Sequence, residues 1–145
     1  MEEISAHIVA GVKTSVKTPV AIFDVDGTLL DDSKGASEYY GPNTEIVKIA
    51  RECRRNGVKI IILTARPLDS KIATRVNLNM HGIPFDKMII NEKSEPPAFK
   101  RSIRSQIERD HNVILAIGDK VHDYDSSGPS VMRVRVINGR PSLQI

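Results

Sequence analysis

Short apolar runs alternate with helical segments along most of this 145-residue chain, and this alternation constrains the fold more than any other feature. The runs predict five strands, at residues 19–25, 58–64, 85–90, 112–118 and 131–137. Helical spacing and glycine or proline breakers predict helices over residues 44–56, 69–81 and 96–110. Strands alternating with helices form right-handed βαβ units. We therefore expect an α/β fold, a three-layer α/β/α Rossmann-like sandwich with a mostly parallel five-stranded sheet.

The composition is that of an ordinary globular domain. Hydrophobic residues make up 40% of the chain and charged residues 27%, which argues against a wholly disordered or membrane-spanning protein. The net charge of +3 favours anionic partners only in general terms, because the basic residues are spread along the chain. We expect residues 19–145 to form a single catalytic domain and residues 1–18 to be an N-terminal arm or tail.

The cellular location is predicted from the cysteine content and the N-terminal sequence. Cys53 is the only cysteine, so no intrachain disulfide can form, and its helical spacing predicts a place in the core. The first residues contain acids and lysines but no long apolar run of the kind found in an export signal. A cytoplasmic protein without membrane partners is expected.

Acidic residues follow two of the predicted strands. Asp24 and Asp26 leave the first strand and precede Gly27, while Asp119 and Asp123 follow the fourth strand. The carboxyl ends of parallel strands meet at one edge of a sheet, so these carboxylates should converge. Such a cluster repels itself unless a cation neutralises it, and oxygen ligands suit Mg²⁺. The sequence therefore predicts a magnesium site that can bind phosphate.

These residues resemble the motifs of the haloacid dehalogenase (HAD) superfamily. The first motif is similar to FDVDGTLL at residues 23–30, the second to IIILTAR with Thr64, and the fourth to GDKVHD with Asp119 and Asp123. The third motif is a lysine, for which Lys100 is favoured over Lys93. The resemblance leaves no room for a cap domain. Its nearest branches are the acid-phosphatase-like and the polynucleotide 3′-phosphatase-like enzymes.

The resemblance implies a phosphomonoester hydrolase that forms an aspartyl phosphate on Asp24. Asp26 would act as general acid and then as general base, and Thr64 and Lys100 would hold the phosphoryl oxygens. It also implies Mg²⁺ bound by Asp24, the Asp26 carbonyl group and Asp119, with Asp123 supporting Lys100 or the water shell of the metal.

Three further residues are candidates for substrate binding. The turn at Gly27 and Thr28 could bring backbone N–H groups near an anion, although Thr28 could equally serve only to fix the turn. Arg66 follows Thr64 and could contact a phosphate or nucleotide, or could equally be a surface charge.

Several functional alternatives stay open. The substrate would be a phosphorylated small molecule, a nucleotide or a nucleic-acid end, and a homo-oligomer could cover the open site. The alternative functions are a phosphotransferase, a nucleic-acid 3′-end phosphatase of the same fold, and a noncatalytic phosphate-binding module.

Overall fold

The computed structural model describes residues 1–35, 39–91, 96–125, 128 and 130–144. Its helices are α1 (Glu2–Thr14), α2 (Thr44–Arg55), α3 (Lys71–Met80), α4 (Pro96–Asp110) and α5 (Val121–Tyr124). Its strands are β1 (Pro19–Phe23), β2 (Lys59–Pro67), β3 (Lys87–Asn91), β4 (Asn112–Gly118), β5 (Met132–Ile137) and β6 (Arg140–Gln144). A 3₁₀ turn at Leu68–Ser70 leads from β2 into α3. None of the helices in the described ranges combines the length and the apolar character needed to cross a bilayer.

The strands form one sheet in the order β3-β2-β1-β4-β5-β6. The first five strands pair in parallel, and β6 pairs antiparallel with β5. The strand order reverses between β1 and β4, so the crevice that binds ligands in such sheets lies beyond the carboxyl ends of these two strands. The predicted α/β fold with a mostly parallel sheet is confirmed.

The described residues form a sheet of six strands, so the prediction of five was wrong. The additional strand, β6, follows β5 through a tight turn in which Asn138 and Gly139 have φ values of 51° and 74°. Asn-Gly is the dipeptide most typical of a two-residue hairpin, because both central residues of that turn need positive φ. This signal was present in the sequence, although the short segment after it contains Pro141 and lacks a long apolar run.

Apolar side chains from both faces of the sheet build the core. On one face, Phe23 of β1 belongs to a cluster with Ile8 of α1, Ile46 of α2 and Leu78 of α3. On the other face, β1 and its neighbours form a smaller cluster that includes Ile107 of α4. The helices therefore cover the sheet on both sides, which gives the three predicted layers.

The N-terminal segment, which the sequence predicts to be an arm or tail, includes a helix that packs on the rest of the chain. Ile4 and Ile8 of α1 are 2% and 0% exposed, because residues four apart lie on the same face of a helix. His7 Nε2 donates a hydrogen bond to the carbonyl oxygen of Ile114 in β4, at 2.6 Å. Helix α1 is thus tied to the central part of the sheet.

Candidate active site

Asp24 lies immediately beyond β1, at the carboxyl edge of the sheet. Its N–H donates to the carbonyl oxygen of Ile117 in β4, at 3.1 Å, which continues the pairing of the two central strands. Its side chain is buried, and Oδ2 accepts a hydrogen bond of 3.0 Å from the fully buried Thr28 Oγ1. The carboxylate of Asp24 is therefore held in one orientation at the crevice.

Lys100 bridges two of the predicted acids. It lies on α4, which covers the face of the sheet opposite to α1, α2 and α3. Its Nζ donates to Asp24 Oδ1 at 2.6 Å and to Asp123 Oδ1 at 2.5 Å, and the residue is 2% exposed. Burial disfavours the ammonium ion, but the two carboxylates more than offset it, and the pKa of Lys100 is raised. The rival lysine of the sequence analysis, Lys93, lies outside the described residues.

Three carboxylates form what we call the acidic cluster: Asp24, Asp119 and Asp123. Each offers one oxygen, and these oxygens all lie within 4.8 Å of one another. Burial and the neighbouring Asp24 raise the pKa of Asp119 to about 8, and the same two causes raise the pKa of Asp123 to about 6. The like charges are therefore only partly balanced by Lys100.

The chemistry of the acidic cluster fits a divalent cation. Hard cations such as Mg²⁺ take carboxylate oxygens, and a positive charge at this position would relieve the repulsion that raises the pKa of Asp119. The turn after β1 packs closely against the acidic cluster. A Cβ atom added to Gly27 would lie 2.4 Å from Asp119 Oδ2, and Gly27 has a φ of 74°. Glycine is therefore required here by both space and backbone conformation.

The N–H groups of this turn bond within it. Gly27 N–H donates to the carbonyl oxygen of Leu30 at 2.8 Å, and Thr28 N–H donates to that of Val25 at 3.1 Å. The structure thus gives Gly27 and Thr28 a role in shaping the turn and orienting Asp24. Their predicted contact with a bound anion stays a prediction.

Asp26 stands apart from the acidic cluster and pairs with Arg66. Arg66 Nη2 donates to Asp26 Oδ1 at 2.7 Å, and Nε donates to Oδ2 at 3.0 Å, so the pair is bidentate. Arg66 Nη1 also donates to Thr74 Oγ1 of α3 at 3.0 Å, and the guanidinium lies 5.8 Å from the centre of the Tyr40 ring. Arg66 is 8% exposed, so the surface-charge alternative for this residue was wrong.

Thr64 lies on β2, next to Arg66. It is 1% exposed, and its Oγ1 accepts the backbone N–H of Arg66 at 3.1 Å. Its neighbour Ala65 lines a cleft of about 310 Å³ together with Asp24, Asp26, Lys100 and the rest of the acidic cluster. The structure thus places Thr64 on the predicted second strand, although this strand continues beyond Thr64 to Pro67. The role of Thr64 as a phosphate ligand stays a prediction.

The cleft also contains residues that the sequence analysis did not select. Asp32, Lys120 and His122 complete its lining. Burial, followed by the charge of Lys100, lowers the pKa of His122. Asp32 lies two residues after the end of FDVDGTLL, and the other two lie in GDKVHD. Their approach to the cleft depends on loop geometry, which residue spacing does not give.

A second cavity, of about 430 Å³, adjoins the cleft. Asp32 and Asp119 line both spaces, and the larger one extends to Asn43 and to Arg135 at the β5–β6 hairpin. The crevice at the edge of the sheet therefore continues into a polar space that could hold the remainder of a substrate.

Comparison with solved structures shows where similar folds occur. One neighbour is a chain of the Pnkp1/Rnl/Hen1 complex, with a TM-score of 0.68, 18% identity, and coverage of 74% of this chain and 41% of that chain. Another is the class C acid phosphatase from Bacillus anthracis, with a TM-score of 0.64, 21% identity, and coverage of 86% of this chain and 66% of that chain. This chain thus spans less than two thirds of the length of either neighbour.

Comparison with curated proteins gives no match. Comparison with protein families does: residues 41–138, more than half of the chain, match the family described as HAD superfamily, subfamily IIIB (Acid phosphatase). The matched range includes Thr64, Lys100 and two members of the acidic cluster, and Asp24 stands beside them in the folded structure. This chain belongs to the subfamily IIIB acid phosphatase family of the HAD superfamily.

Proposed function

We propose that the chain is a phosphomonoester hydrolase in which Asp24 is the nucleophile, with residues 19–145 as its catalytic domain. The observation that carries the proposal is the fixed carboxylate of Asp24. It is held by Lys100 and Thr28 at a cleft and lies beside two further carboxylates. A buried lysine that pairs with two acids supplies positive charge where a phosphoryl group would meet the nucleophile.

The reaction divides into two displacements. An Asp24 oxygen bonds to phosphorus as the ester P–O bond breaks, and Asp26 gives its proton to the departing alkoxide. Asp26 then takes a proton from the water molecule that attacks phosphorus of the aspartyl phosphate. The P–O bond to Asp24 breaks, which releases inorganic phosphate and regenerates the Asp24 carboxylate. Asp26 is partly exposed at the cleft, with 35% of its side chain accessible, so it can exchange protons with water.

Charge on the phosphoryl oxygens is balanced by groups around Asp24. In this proposal Lys100 and Thr64 hold two of these oxygens, and Arg66 orients Asp26 through its bidentate contact. The acidic cluster, with the backbone carbonyl group of Asp26, would hold Mg²⁺. The bound metal would act as a Lewis acid that neutralises charge on the phosphoryl group.

Replacement of the nucleophile tests this proposal. Asp24→Asn should abolish Mg²⁺-dependent release of phosphate from an aryl phosphate, whereas Asp110→Asn, an exposed control at the end of α4, should keep full activity. Trapping with a beryllium or aluminium fluoride should give a stable complex with the wild type only. Failure of the wild type to release phosphate across divalent metals and a broad phosphate panel would refute a hydrolase.

Nucleic-acid ends are the second candidate substrate. The cavity of about 430 Å³ beyond the cleft presents Arg135 to a large leaving group, and one structural neighbour is a chain of the Pnkp1/Rnl/Hen1 RNA repair complex. A panel of nucleotides and 3′-phosphorylated oligonucleotides tests this option. Preference for oligonucleotides should weaken as salt rises, because phosphate contacts release counterions. Preference for mononucleotides at every salt concentration would contradict it.

A cytoplasmic location and self-association belong to the same proposal. Cys53 is buried in the core, and burial raises its pKa to about 12, which suits a structural thiol that stays reduced. The cleft at the edge of the sheet is open, and a second subunit beside it would limit access to the site.

A further inference from the structure

Asn77 is a polar side chain buried on the inner side of α3. The residue is 0% exposed, and burying an amide costs free energy unless its polar groups are hydrogen-bonded. Its Oδ1 accepts the backbone N–H of Tyr40 at 2.8 Å, and its Nδ2 donates to the carbonyl oxygen of Tyr40 at 2.9 Å. His81 Nε2 donates to the same carbonyl oxygen at 3.1 Å. One side chain therefore bonds both backbone groups of Tyr40, as an opposite residue does in a β-sheet.

The backbone around this tyrosine is also held from the other side. We call residues 39–43 the linking segment, because they connect α3 with the chain that follows β1. Asp31 N–H donates to the carbonyl oxygen of Gly41 at 2.8 Å, and Asn43 N–H donates to that of Leu29 at 2.9 Å. The linking segment is thus fixed between α3 and the turn that carries the first acidic motif.

The ring of Tyr40 packs against the guanidinium of Arg66. The guanidinium carbon lies 5.8 Å from the ring centre, within the range of cation–π contacts. The Tyr40 hydroxyl donates to the carbonyl oxygen of Gly35 at 2.7 Å, so the ring is held at its far end as well. Arg66 in turn binds Asp26, with Nε to Oδ2 at 3.0 Å and Nη2 to Oδ1 at 2.7 Å. The position of the ring therefore restricts the direction of the guanidinium fork.

From this chain of contacts we infer that Asn77 is a positioning residue for Asp26. It acts through the backbone and ring of Tyr40 and then through the guanidinium of Arg66. The inference rests on the proposed function, which assigns the proton transfers to Asp26. A carboxylate that transfers protons must stay within hydrogen-bond reach of the reacting oxygen atoms, so a small displacement lowers the rate. Asn77 is fully buried and is not expected to touch the substrate itself.

The alternative is that Asn77 only stabilises the fold. Packing alone would be served by an aliphatic side chain, as it is at the adjacent Leu78 in the apolar core. Thr74, three residues before Asn77 on the same side of α3, also bonds a polar partner, since its Oγ1 accepts Arg66 Nη1 at 3.0 Å. The two interpretations differ in their consequences. A purely structural residue changes stability, whereas a positioning residue changes kcat of the folded protein.

Steady-state kinetics of the folded whole chain with an aryl phosphate separate these interpretations. Asn77→Ala should lower kcat about 10-fold and change KM by less than about 2-fold, whereas Asn79→Ala, an exposed control on the same helix, should match the wild type. Tyr40→Leu keeps the backbone bonds but removes the ring, so it should give a similar loss, and Tyr40→Phe should recover most of kcat. Combining Asn77→Ala with Tyr40→Leu should lower kcat little further, because both changes remove the same support.

A second measurement follows Arg66 without needing turnover. In proton–nitrogen correlation spectra of arginine side chains, the Nε–H signal of Arg66 is identified by its loss in Arg66→Lys. This hydrogen is bonded to Asp26 and should exchange slowly with water in the wild type. Its exchange should be at least about 10-fold faster in Asn77→Ala and Tyr40→Leu, and unchanged in Asn79→Ala. If the wild type releases no phosphate, the proposed function fails, and the exchange rates alone decide the inference.

Three results would overturn the inference. The first is a folded Asn77→Ala protein in which exchange at Arg66 is unchanged, because Asn77 would then be structural only. The second is a rise in KM at unchanged kcat, which would indicate that the linking segment contacts the substrate. The third is a multiplicative loss of kcat in the double variant, which would mean that Asn77 and Tyr40 act by separate routes. If circular dichroism shows that Asn77→Ala does not fold, Tyr40→Leu supplies both measurements, and wild-type behaviour of that variant overturns the inference equally.

Discussion

Two ion-pair systems meet at the cleft, and they differ in burial. Lys100 is 2% exposed between the nearly buried Asp24 and Asp123, whereas Arg66 is buried but its partner Asp26 keeps 35% of its side chain accessible. The buried system fixes charges that must not move, at the proposed nucleophile. The half-open system orients a carboxylate that stays accessible to water. Removing the Lys100 cation should therefore have different consequences from removing the Arg66 cation.

The largest effect should follow loss of the buried cation. Lys100→Met leaves Asp24 and Asp123 without their partner in a nearly dry environment, which should cost about 3–5 kcal/mol of unfolding free energy. Phosphate release should fall by at least about 10³-fold. Chemical denaturation and an aryl phosphate assay measure both quantities. The matched control is Arg101→Met, at the next position of α4, whose cation is half exposed and should change stability by less than about 0.5 kcal/mol.

Loss of the half-open pair should act mainly on turnover. Arg66→Met removes the bidentate contact with Asp26 and the bond to Thr74, so kcat should fall about 10²-fold while KM changes little. Unfolding free energy should drop by about 2 kcal/mol. Arg66→Lys should recover part of kcat, and Arg55→Met, an exposed control on α2, should behave as wild type. A rise in KM at unchanged kcat would instead make Arg66 a substrate ligand.

The acidic cluster predicts how stability depends on pH and metal. Because burial and Asp24 raise the pKa of Asp119 to about 8, the metal-free folded chain retains a proton that the unfolded chain loses near pH 4. This contribution to stability is fully present below about pH 4 and is lost as the pH rises through about 8. Mg²⁺ should therefore raise Tm more at pH 8 than at pH 6, by a few degrees.

Thermal unfolding in EDTA and in excess Mg²⁺ measures this difference. Asp119→Asn removes the titrating group and most of the metal response, so its Tm in EDTA should exceed that of the wild type at pH 8. An equal response to Mg²⁺ at both pH values would contradict the assignment of the acidic cluster as a metal site.

The smallest effect is expected where a single hydrogen bond orients the nucleophile. Thr28→Val keeps the shape of a fully buried side chain but removes the donor to Asp24 Oδ2. Unfolding free energy should fall by about 1–2 kcal/mol and kcat by several-fold. Thr14→Val, which removes an exposed hydroxyl bond at the end of α1, is the control. A loss as large as that of Lys100→Met would mean that Thr28 touches the substrate itself.

The carboxyl edge of the sheet was largely predictable from the sequence. Asp24 and Asp119 directly follow apolar runs, and parallel strands bring their carboxyl ends to one edge whatever the details of packing. The structure places Lys100 beside Asp24 as well, because α4 returns across the opposite face of the sheet. Strand periodicity and chain direction were sufficient to place Asp24 and Asp119, whereas Lys100 was selected from the resemblance to the HAD motifs.

Other features depend on tertiary contacts that local pattern does not encode. The sequence of residues 69–81 predicts a helix but does not show which side of it faces the rest of the chain. The inner side is polar, because Thr74 bonds Arg66 and Asn77 bonds the backbone of Tyr40. Arg66 itself could not be distinguished from a surface charge, since its burial comes from Asp26 and Tyr40, about 40 and 26 residues away. The Asn138-Gly139 hairpin, in contrast, was a local signal.

Gly27 has no side chain, and the shape of the site depends on this absence. A single methyl group at this position would occupy the space of Asp119 Oδ2, so it would push one carboxylate out of the acidic cluster without altering a charge. The arrangement of the acidic cluster thus depends on the free volume beside Gly27 as well as on the carboxylates themselves. A chain with Gly27→Ala would keep every acidic residue of the motif in its sequence but would lose their arrangement in the folded structure.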